Sequence, residues 1–445
     1  MSGLALLARH QGVAITGCDS DPSGAADLAA LGIPIWRGHD PSHVDSARAV
    51  VVTAAVTREH PELARAQARR IPVVRRADAL ADAVAGGTLV AVAGTHGKTT
   101  TTVMVTEALA AAGRDPTGLA GGRVARWGGN ARLGGRAVFV VEADEFDRAF
   151  LSLAPAVAVV TNVEADHLEC YGTLEVLEQA FAQFAGGARR VIAGADDAGA
   201  RRVAARLAVP LWRVGLGDDA ELRLFEPSLE PAGSAARLRL PDGRTVALRL
   251  GVPGLHNLRN AAAAVGVVHE LGADLTAALD ALARFDGVGR RFERLGEAAG
   301  VTVVDDYAHH PTEVAATLAA ARQAFPGRRV VAVFQPHLYS RTALHGEALG
   351  RALARADVVI VAPIYGAREQ PLPGVTADLV VDGAQRAGAA AATTAVRDRA
   401  GLTGAVAAAV RPGDVVLTLG AGDVTRVGPE LLERLRETGS GKRET

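Results

Sequence analysis

The run Leu89-Val-Ala-Val-Ala93 passes without interruption into Gly94-Thr-His-Gly97-Lys98-Thr99-Thr100 and then into a segment of helical spacing. No other stretch constrains the fold as tightly. A run that is apolar at every position has no face to offer water, so it belongs in a sheet covered on both sides. A helix that follows after so short a loop crosses back over the sheet, and the next strand is then parallel. The same alternation recurs along the chain. Strands are expected at 13–16, 49–53, 89–93, 137–141, 156–160, 190–193, 301–304, 329–334, 357–362 and 414–419. Helices are expected at 61–70, 99–112, 174–184, 257–271, 275–283, 311–324, 344–354 and 401–410. That pattern is the α/β class with parallel sheets. One interval departs from it. Between 214 and 250, short alternating runs flank Pro241-Asp242-Gly243, the pattern of an antiparallel hairpin.

At 445 residues the chain exceeds one hydrophobic core, and roughly 100–200 residues per domain gives about three domains. Glycine-rich breaks near 85–88 and 287–290 set the expected boundaries, with domains over 1–86, 87–288 and 289–445. A net charge of −1 excludes a strongly basic nucleic-acid binder or a polybasic membrane-surface protein. No apolar run reaches the ~18–20 residues a membrane span needs. The apolar start at 4–8 lacks the basic flank of a secretion signal. Two cysteines, Cys18 and Cys170, cannot build a disulfide framework and fit a reducing, cytoplasmic setting. Neither a membrane nor a nucleic acid is expected as partner, and the chain is read as a monomer or weak dimer. The tail 439–445 is polar and expected to fray.

Arginine outnumbers lysine 46 to 2, and the two lysines are Lys98 and Lys442. A chain that writes nearly every cation as arginine, yet keeps one interior lysine, has a use for a compact ammonium there. Lys98 lies where the backbone amides of a glycine loop and a helix N-terminus cradle phosphate oxygens. Such a lysine reaches the β- and γ-phosphates, and the hydroxyl after it can ligate Mg²⁺. Gly94, Thr95, His96, Gly97, Lys98, Thr99 and Thr100 are therefore the expected nucleotide-binding loop. Its spacing departs from the general phosphate-loop pattern: Val92 stands in place of the leading glycine, and Gly94 lies three before Gly97.

Other strand ends carry polar clusters too. The strand at 137–141 leads into Glu142-Ala-Asp144-Glu145-Phe-Asp147, four carboxylates that repel one another unless a cation sits among them. The strand at 156–160 leads into Thr161-Asn162-Val-Glu164-Ala-Asp166-His167, ligand types suited to Mg²⁺ or Mn²⁺. His256-Asn257-Leu-Arg-Asn260 sets two of only four asparagines on one face of a helix start, where one can cap the helix. Arg290-Arg291 offers paired guanidiniums for phosphate or carboxylate. Later come Asp305-Asp306-Tyr307-Ala-His309-His310-Pro311-Thr312, Phe334-Gln335-Pro-His337-Leu-Tyr339-Ser-Arg341-Thr342, Pro363-Ile-Tyr365-Gly366 and Gly420-Ala-Gly422-Asp423, each after an apolar run. Open α/β sheets bind ligands at the carboxyl ends of their strands, so a site assembled from several strand ends in at least two domains is expected.

In order, Gly94-Thr-His-Gly-Lys-Thr-Thr, Glu142-Ala-Asp-Glu, Asn162-Val-Glu-Ala-Asp-His, His256-Asn-x-x-Asn, Asp305-Asp-Tyr-Ala-His-His-Pro-Thr and Phe334-Gln-Pro-His resemble the Mur ligase family over nearly the whole chain. Gly38-His39-Asp40 and Thr53-Ala-Ala-Val56 resemble segments of that family's first domain. The resemblance implies three domains: a Rossmann-like UDP-binding domain, a central ATPase domain with a mainly parallel sheet and a small antiparallel hairpin, and a Rossmann-like amino-acid-binding domain. It implies an ATP-dependent carboxylate–amine ligase of peptidoglycan synthesis. ATP would phosphorylate the lactyl carboxylate of UDP-N-acetylmuramate, and the amine of L-alanine would attack the acyl phosphate.

By position, the resemblance implies that Lys98 contacts the β/γ-phosphates, that Thr99 and Glu142 hold Mg²⁺, and that His167 serves a second metal or the activated carboxylate. It assigns Asn257, Asn260 and Arg291 to nucleotide, Asp306 to the neighbourhood of ATP, and Tyr307, His309, His337 and Arg341 to the alanine end. Lys98, Glu142, His167, Asp306 and His309 are the implied catalytic set. Three departures stand out. The family's leading strand and Gly-rich loop would precede Met1–Ala5, so the first domain is expected to be incomplete at its N-terminus. Phe146 replaces a small Ser, and Leu338 replaces an Arg.

Two alternatives remain open. A related branch of the family attaches a recycled tripeptide instead of alanine, but it resembles this chain less at 162–171 and 334–342. A non-catalytic ATP-binding switch leaves the C-terminal His/Asp clusters unexplained. A GTPase is excluded, because its Asn-Lys-x-Asp motif cannot be written with only Lys98 and Lys442 available.

Overall fold

The computed structural model describes residues 1–57, 59–367, 369–388 and 392–440; Lys442 and the tail from 441 on lie outside them. The chain forms two compact units. One comprises Met1–Pro227, Ala235–Arg249 and Leu258–Phe285, the other Ser228–Ser234, Leu250–Asn257 and the chain from Asp286 on.

The first unit is organised by a ten-stranded sheet. Its middle runs Arg190–Gly194, Val157–Val160, Thr88–Ala93, Val138–Glu142 and Thr117–Val124, all parallel. Val157–Val160 and the Leu89–Ala93 stretch of the central strand are apolar throughout, and Val90, Ala91, Val92 and Ala93 have no exposed surface, as burial on both faces requires. The helix Lys98–Ala111 follows the central strand directly, and Leu275–Ala283 packs against it. Val138–Glu142 and Val157–Val160 flank Thr88–Ala93 on opposite sides, so the strand order reverses at its carboxyl end. A crevice at such a reversal is where open α/β sheets take their ligands. Gly233–Arg239 and Thr245–Leu250 continue one edge of the sheet, joined by the turn at Pro241-Asp242-Gly243, where Gly243 has φ +87°.

Residues 1–86 belong to the same unit and carry two small parallel sheets. One pairs Gly17–Asp19 with Ile35–Arg37, the other Val50–Val52 with Val73–Arg75. The strand expected at 13–16 is not formed; pairing begins at Gly17, opposite Ile35. The next partner back is Pro34, whose missing N–H cannot continue a ladder. The apolar start folds as the helix Ser2–His10, with Leu6 and Leu7 buried in a core shared with Leu80, Leu89 and Phe139.

The second unit holds a six-stranded sheet in the order Glu293–Ala298, Val301–Asp306, Val415–Leu419, Val330–Phe334, Val358–Val361 and Ala392–Ala395. Only the first pair is antiparallel. Strand alternation divides its core. Val330, Ala332 and Phe334 point to a layer with Val314, Leu318, Leu349 and Leu353, whereas Val331 and Val333 point to one with Leu402, Val406, Val427 and Leu431. The helix expected at 344–354 starts earlier, at Tyr339. Ser340 N in its first turn donates to Glu369 Oε2 at 2.9 Å, a long-range partner with no local sequence signal.

Candidate functional site

The loop after Thr88–Ala93 is shaped by close packing. Gly94 has φ +134°, and a Cβ there would collide with the Thr161 hydroxyl. Gly97 has φ +80°, and a Cβ would lie 2.9 Å from Asn260 Oδ1. Neither position tolerates a side chain. His96 N donates to Asn162 Oδ1 at 2.8 Å, and Asn162 Nδ2 donates back to His96 O at 3.0 Å. Thr161 Oγ1 donates to His96 O at 2.6 Å, and Thr95 Oγ1 accepts from Glu164 N at 2.9 Å. The loop is thus tied to the segment that follows the neighbouring strand.

Lys98 opens the helix. Its Nζ donates to Gly94 O at 2.7 Å, Thr95 O at 3.3 Å and Glu145 Oε2 at 2.8 Å. Glu145 is only 1% exposed. Burial works against the ammonium, but the carboxylates of Glu145, Asp144 and Glu142 outweigh it, and the Lys98 pKa is raised. Lys98 therefore stays cationic across the physiological range. Thr99 Oγ1 donates to Glu142 Oε1 at 3.0 Å, while Glu142 Oε2 accepts from Gly121 N at 2.5 Å. Thr100 is buried in the same helical turn.

The four carboxylates of the acidic run are dispersed. Glu142 turns to Thr99, Asp144 accepts from Phe146 N at 3.2 Å, Glu145 meets Lys98, and Asp147 and Arg148 adopt φ +54° and +55°. One cation among them is Lys98 itself. His167, at φ +53°, has Nδ1 3.2 Å from Glu169 and its ring edge-on to Phe146 at 5.2 Å. Among the described residues no hydrogen bond joins His167 to Glu142. The two asparagines of the next helix diverge: Asn257 Nδ2 donates to Pro253 O at 2.7 Å, whereas Asn260 lies against Gly97.

In the second unit, Asp306 ends the strand Val301–Asp306. Its carboxylate accepts from Ala308 N and Phe292 N, both at 2.8 Å. Burial pushes its pKa up to about 6, against the pull of nearby Arg291. The guanidiniums of Arg290 and Arg291 stack on the Tyr307 ring at 4.8 and 5.1 Å. Arg290 also reaches Asp305 Oδ2 at 3.1 Å, and Arg291 lies 3.5 Å from Glu313. The Tyr307 ring meets His309 at 5.3 Å, His309 lies 6.1 Å from His337, and Arg341 Nη1 is 3.2 Å from His337 Nδ1.

The structure thus gathers Tyr307, His309, His337 and Arg341 into one cluster. Leu338, within it, is held at φ +68°, a strained conformation of the kind found at functional sites. His310 has a structural part: Thr312 N donates to it, and Glu313 accepts from His309 N and His310 N in a capping box ahead of Pro311. Glu145, Arg290 and Tyr365 lie in the expected polar clusters but carry no individual role there, and the structure gives each one a place. Tyr365 stacks on His337 at 5.8 Å. The single interior lysine signals that a buried counter-charge is needed, without marking Glu145 as that group.

Three domain descriptions match in sequence order: the Mur ligase family catalytic domain over 1–88, the Mur ligase middle domain over 92–268 and the Mur ligase glutamate ligase domain over 290–422. A UDP-N-acetylmuramate–L-alanine ligase of Kineococcus radiotolerans is 48% identical over 449 residues, spanning 98% of this chain and 94% of that protein. This chain belongs to the Mur ligase family. A UDP-N-acetylmuramate–alanine ligase of Thermotoga maritima superposes with a TM-score of 0.81 at 29% identity, covering 98% of this chain and 97% of the other. A murein peptide ligase of Psychrobacter arcticus shares the fold, with a TM-score of 0.73 at 24% identity over 98% and 96% of the two chains. The Mur ligase middle domain match contains the phosphate loop, Glu142 and His167, and the glutamate ligase domain match contains Asp306 and the ring cluster. No helix among the described residues is long and apolar enough to cross a membrane.

Proposed function

We propose that this Mur ligase joins L-alanine to the lactyl carboxylate of UDP-N-acetylmuramate with hydrolysis of ATP to ADP and phosphate, in peptidoglycan synthesis. The observation that carries this reading is 48% identity over nearly the full length to a ligase named for that reaction. Use of ATP and a nucleotide-activated sugar argues for a cytoplasmic setting.

A carboxylate is a poor electrophile, so it must first become a mixed anhydride. A lactyl oxygen attacks the γ-phosphorus, ADP leaves, the alanine amine attacks the acyl carbon, and phosphate leaves. Two anions must meet in the first step. Lys98 offsets that repulsion by turning donors now held by Glu145 toward the phosphates, helped by the amides at the helix start. Thr99 and Glu142 are hard oxygen donors 3.0 Å apart, a set that suits Mg²⁺. When bound there, the ion would neutralise phosphate charge. His167 is assigned to the activated carboxylate or a second metal, and Asn260, Arg291 and Asp306 to the nucleotide. Asn257, turned to Pro253, supports that helix start. Tyr307, His309, His337 and Arg341 form the amino-acid end, where the guanidinium suits the alanine carboxylate.

The test is ADP release with UDP-N-acetylmuramate and each of L-alanine, glycine, L-serine and a cell-wall tripeptide. The highest kcat/KM is expected with L-alanine. A preference for the tripeptide would instead make the chain a recycling ligase.

A further inference from the structure

Cys18, His39 and Glu62 come from three elements of the first 86 residues: the strand Gly17–Asp19, the turn after Ile35–Arg37 and the helix Pro61–Ala68. None of them belongs to the phosphate loop or to the ring cluster. Their side chains converge. Cys18 Sγ lies 3.0 and 3.2 Å from the two Glu62 oxygens. His39 Nδ1 lies 3.4 Å from Cys18 Sγ and 3.7 Å from Glu62 Oε2. Two more imidazoles surround the same carboxylate: His43 Nδ1 is 2.9 Å from Glu62 Oε1, and His60 Nδ1 is 3.9 Å from Oε2. Glu62 is buried while His39 is exposed, so the cluster is closed on one side and open to water on the other.

Three of twelve histidines and one of two cysteines thus crowd around one carboxylate. A hydrogen-bonded network alone leaves that concentration unexplained, and His60 Nδ1 is buried with no hydrogen-bond partner. Zinc–sulfur bonds of ~2.3 Å and zinc–nitrogen or zinc–oxygen bonds of ~2.0–2.2 Å in a tetrahedron set ligand atoms ~3.4–3.6 Å apart. The 3.0–3.7 Å separations among Cys18, His39 and Glu62 bracket that spacing. A soft sulfur with a borderline nitrogen selects a zinc-class ion over magnesium.

We propose that Cys18 Sγ, His39 Nδ1 and a Glu62 oxygen form a three-ligand site for a zinc-class divalent cation, with a fourth position open to water. His43 orients Glu62 through its other oxygen, the usual arrangement around a ligating group. Binding releases the Cys18 thiol proton to solvent. The ion would cross-link three elements in a region whose sheets have only two strands each.

The test strips the full-length chain of metal with a chelator and titrates cobalt(II), whose bond to a thiolate gives an intense near-ultraviolet charge-transfer band. One equivalent is expected to saturate the band. It should vanish in Cys18→Ser, persist in Cys170→Ser and be displaced by zinc. His39→Ala, a change at the surface, should weaken cobalt binding by at least the ~10–100-fold seen when an outer partner of a metal site is lost. Excess Mg·ATP should leave the band unchanged. Absence of the band from the parent chain, its survival in Cys18→Ser, or unaltered affinity in His39→Ala would each overturn the proposal.

Discussion

The phosphate loop and the strand end at Asp306 handle buried charge in opposite ways. The Lys98 ammonium is paired directly with a buried carboxylate. The ammonium has Glu145 and two carbonyls, and the loop carrying it is fixed by Gly94, Gly97 and the exchanged bonds with Asn162. Asp306 instead lies among backbone donors, with Arg291 near enough to pull on it but not to cancel its burial, and its pKa stands at about 6. The first arrangement gives a cation that does not titrate near neutrality. The second gives a carboxyl that changes charge just below it. One region holds a fixed positive charge across the physiological range; the other changes its charge with proton concentration.

Lys98→Ala breaks the paired side of this contrast most severely. Turnover should fall by at least the ~10²–10³-fold seen when one preorganised charge-stabilising group is removed. Lys98→Arg should not restore it, because a guanidinium cannot occupy the small space bounded by Gly94 O, Thr95 O and Glu145. Steady-state phosphate release, with circular dichroism to confirm folding, checks both; more than a tenth of parental activity in Lys98→Ala would remove the lysine from its role.

Asp306→Asn sharpens the unpaired side. The folded-state pKa of about 6 lies above the usual carboxyl value, so between roughly pH 4 and 6 the folded chain holds a proton that the unfolded chain has lost. The stability this group permits is complete below about pH 4 and is lost as pH rises through about 6. Relative to Asp306→Asn, the parent should therefore lose on the order of 3 kcal/mol between pH 4 and 7. Denaturant titrations across that range measure it, and a constant difference between the two proteins would contradict the burial argument.

Glu142→Ala has the smallest expected effect. Thr99 and any bound ion would lose one oxygen ligand, and half-maximal activation should require about tenfold more Mg²⁺, the low end of the loss seen for groups around a metal. Superimposable Mg²⁺ titrations would mean that Glu142 serves only to hold Gly121 N and the Thr99 hydroxyl.

The same contrast explains what could be read from the chain. The central strands and the phosphate loop were legible because local pattern decides them: fully apolar runs, glycines at forced conformations and one lysine in a chain of arginines. The partner of that lysine was not. Glu145 is one of four neighbouring carboxylates, and nothing in their spacing marks which of them meets the ammonium. The strand expected at 13–16 failed because its partner begins with a proline, a fact about residue 34 rather than residue 13. His310 stood out as one of two adjacent histidines before Pro311, and its capping part appears only with the helix it opens. Tyr365 and Arg290 join the ring cluster through strand order, which no spacing in the sequence encodes.

The proposed reaction requires that a sugar carboxylate be activated by moving phosphate onto it. Heavy-oxygen label placed in the lactyl carboxylate of UDP-N-acetylmuramate tests this most directly, with Mg·ATP and L-alanine supplied and the released phosphate read by mass spectrometry. One labelled oxygen should appear in each phosphate formed. Phosphate that carries no label, or that appears equally fast without the sugar nucleotide, would contradict it.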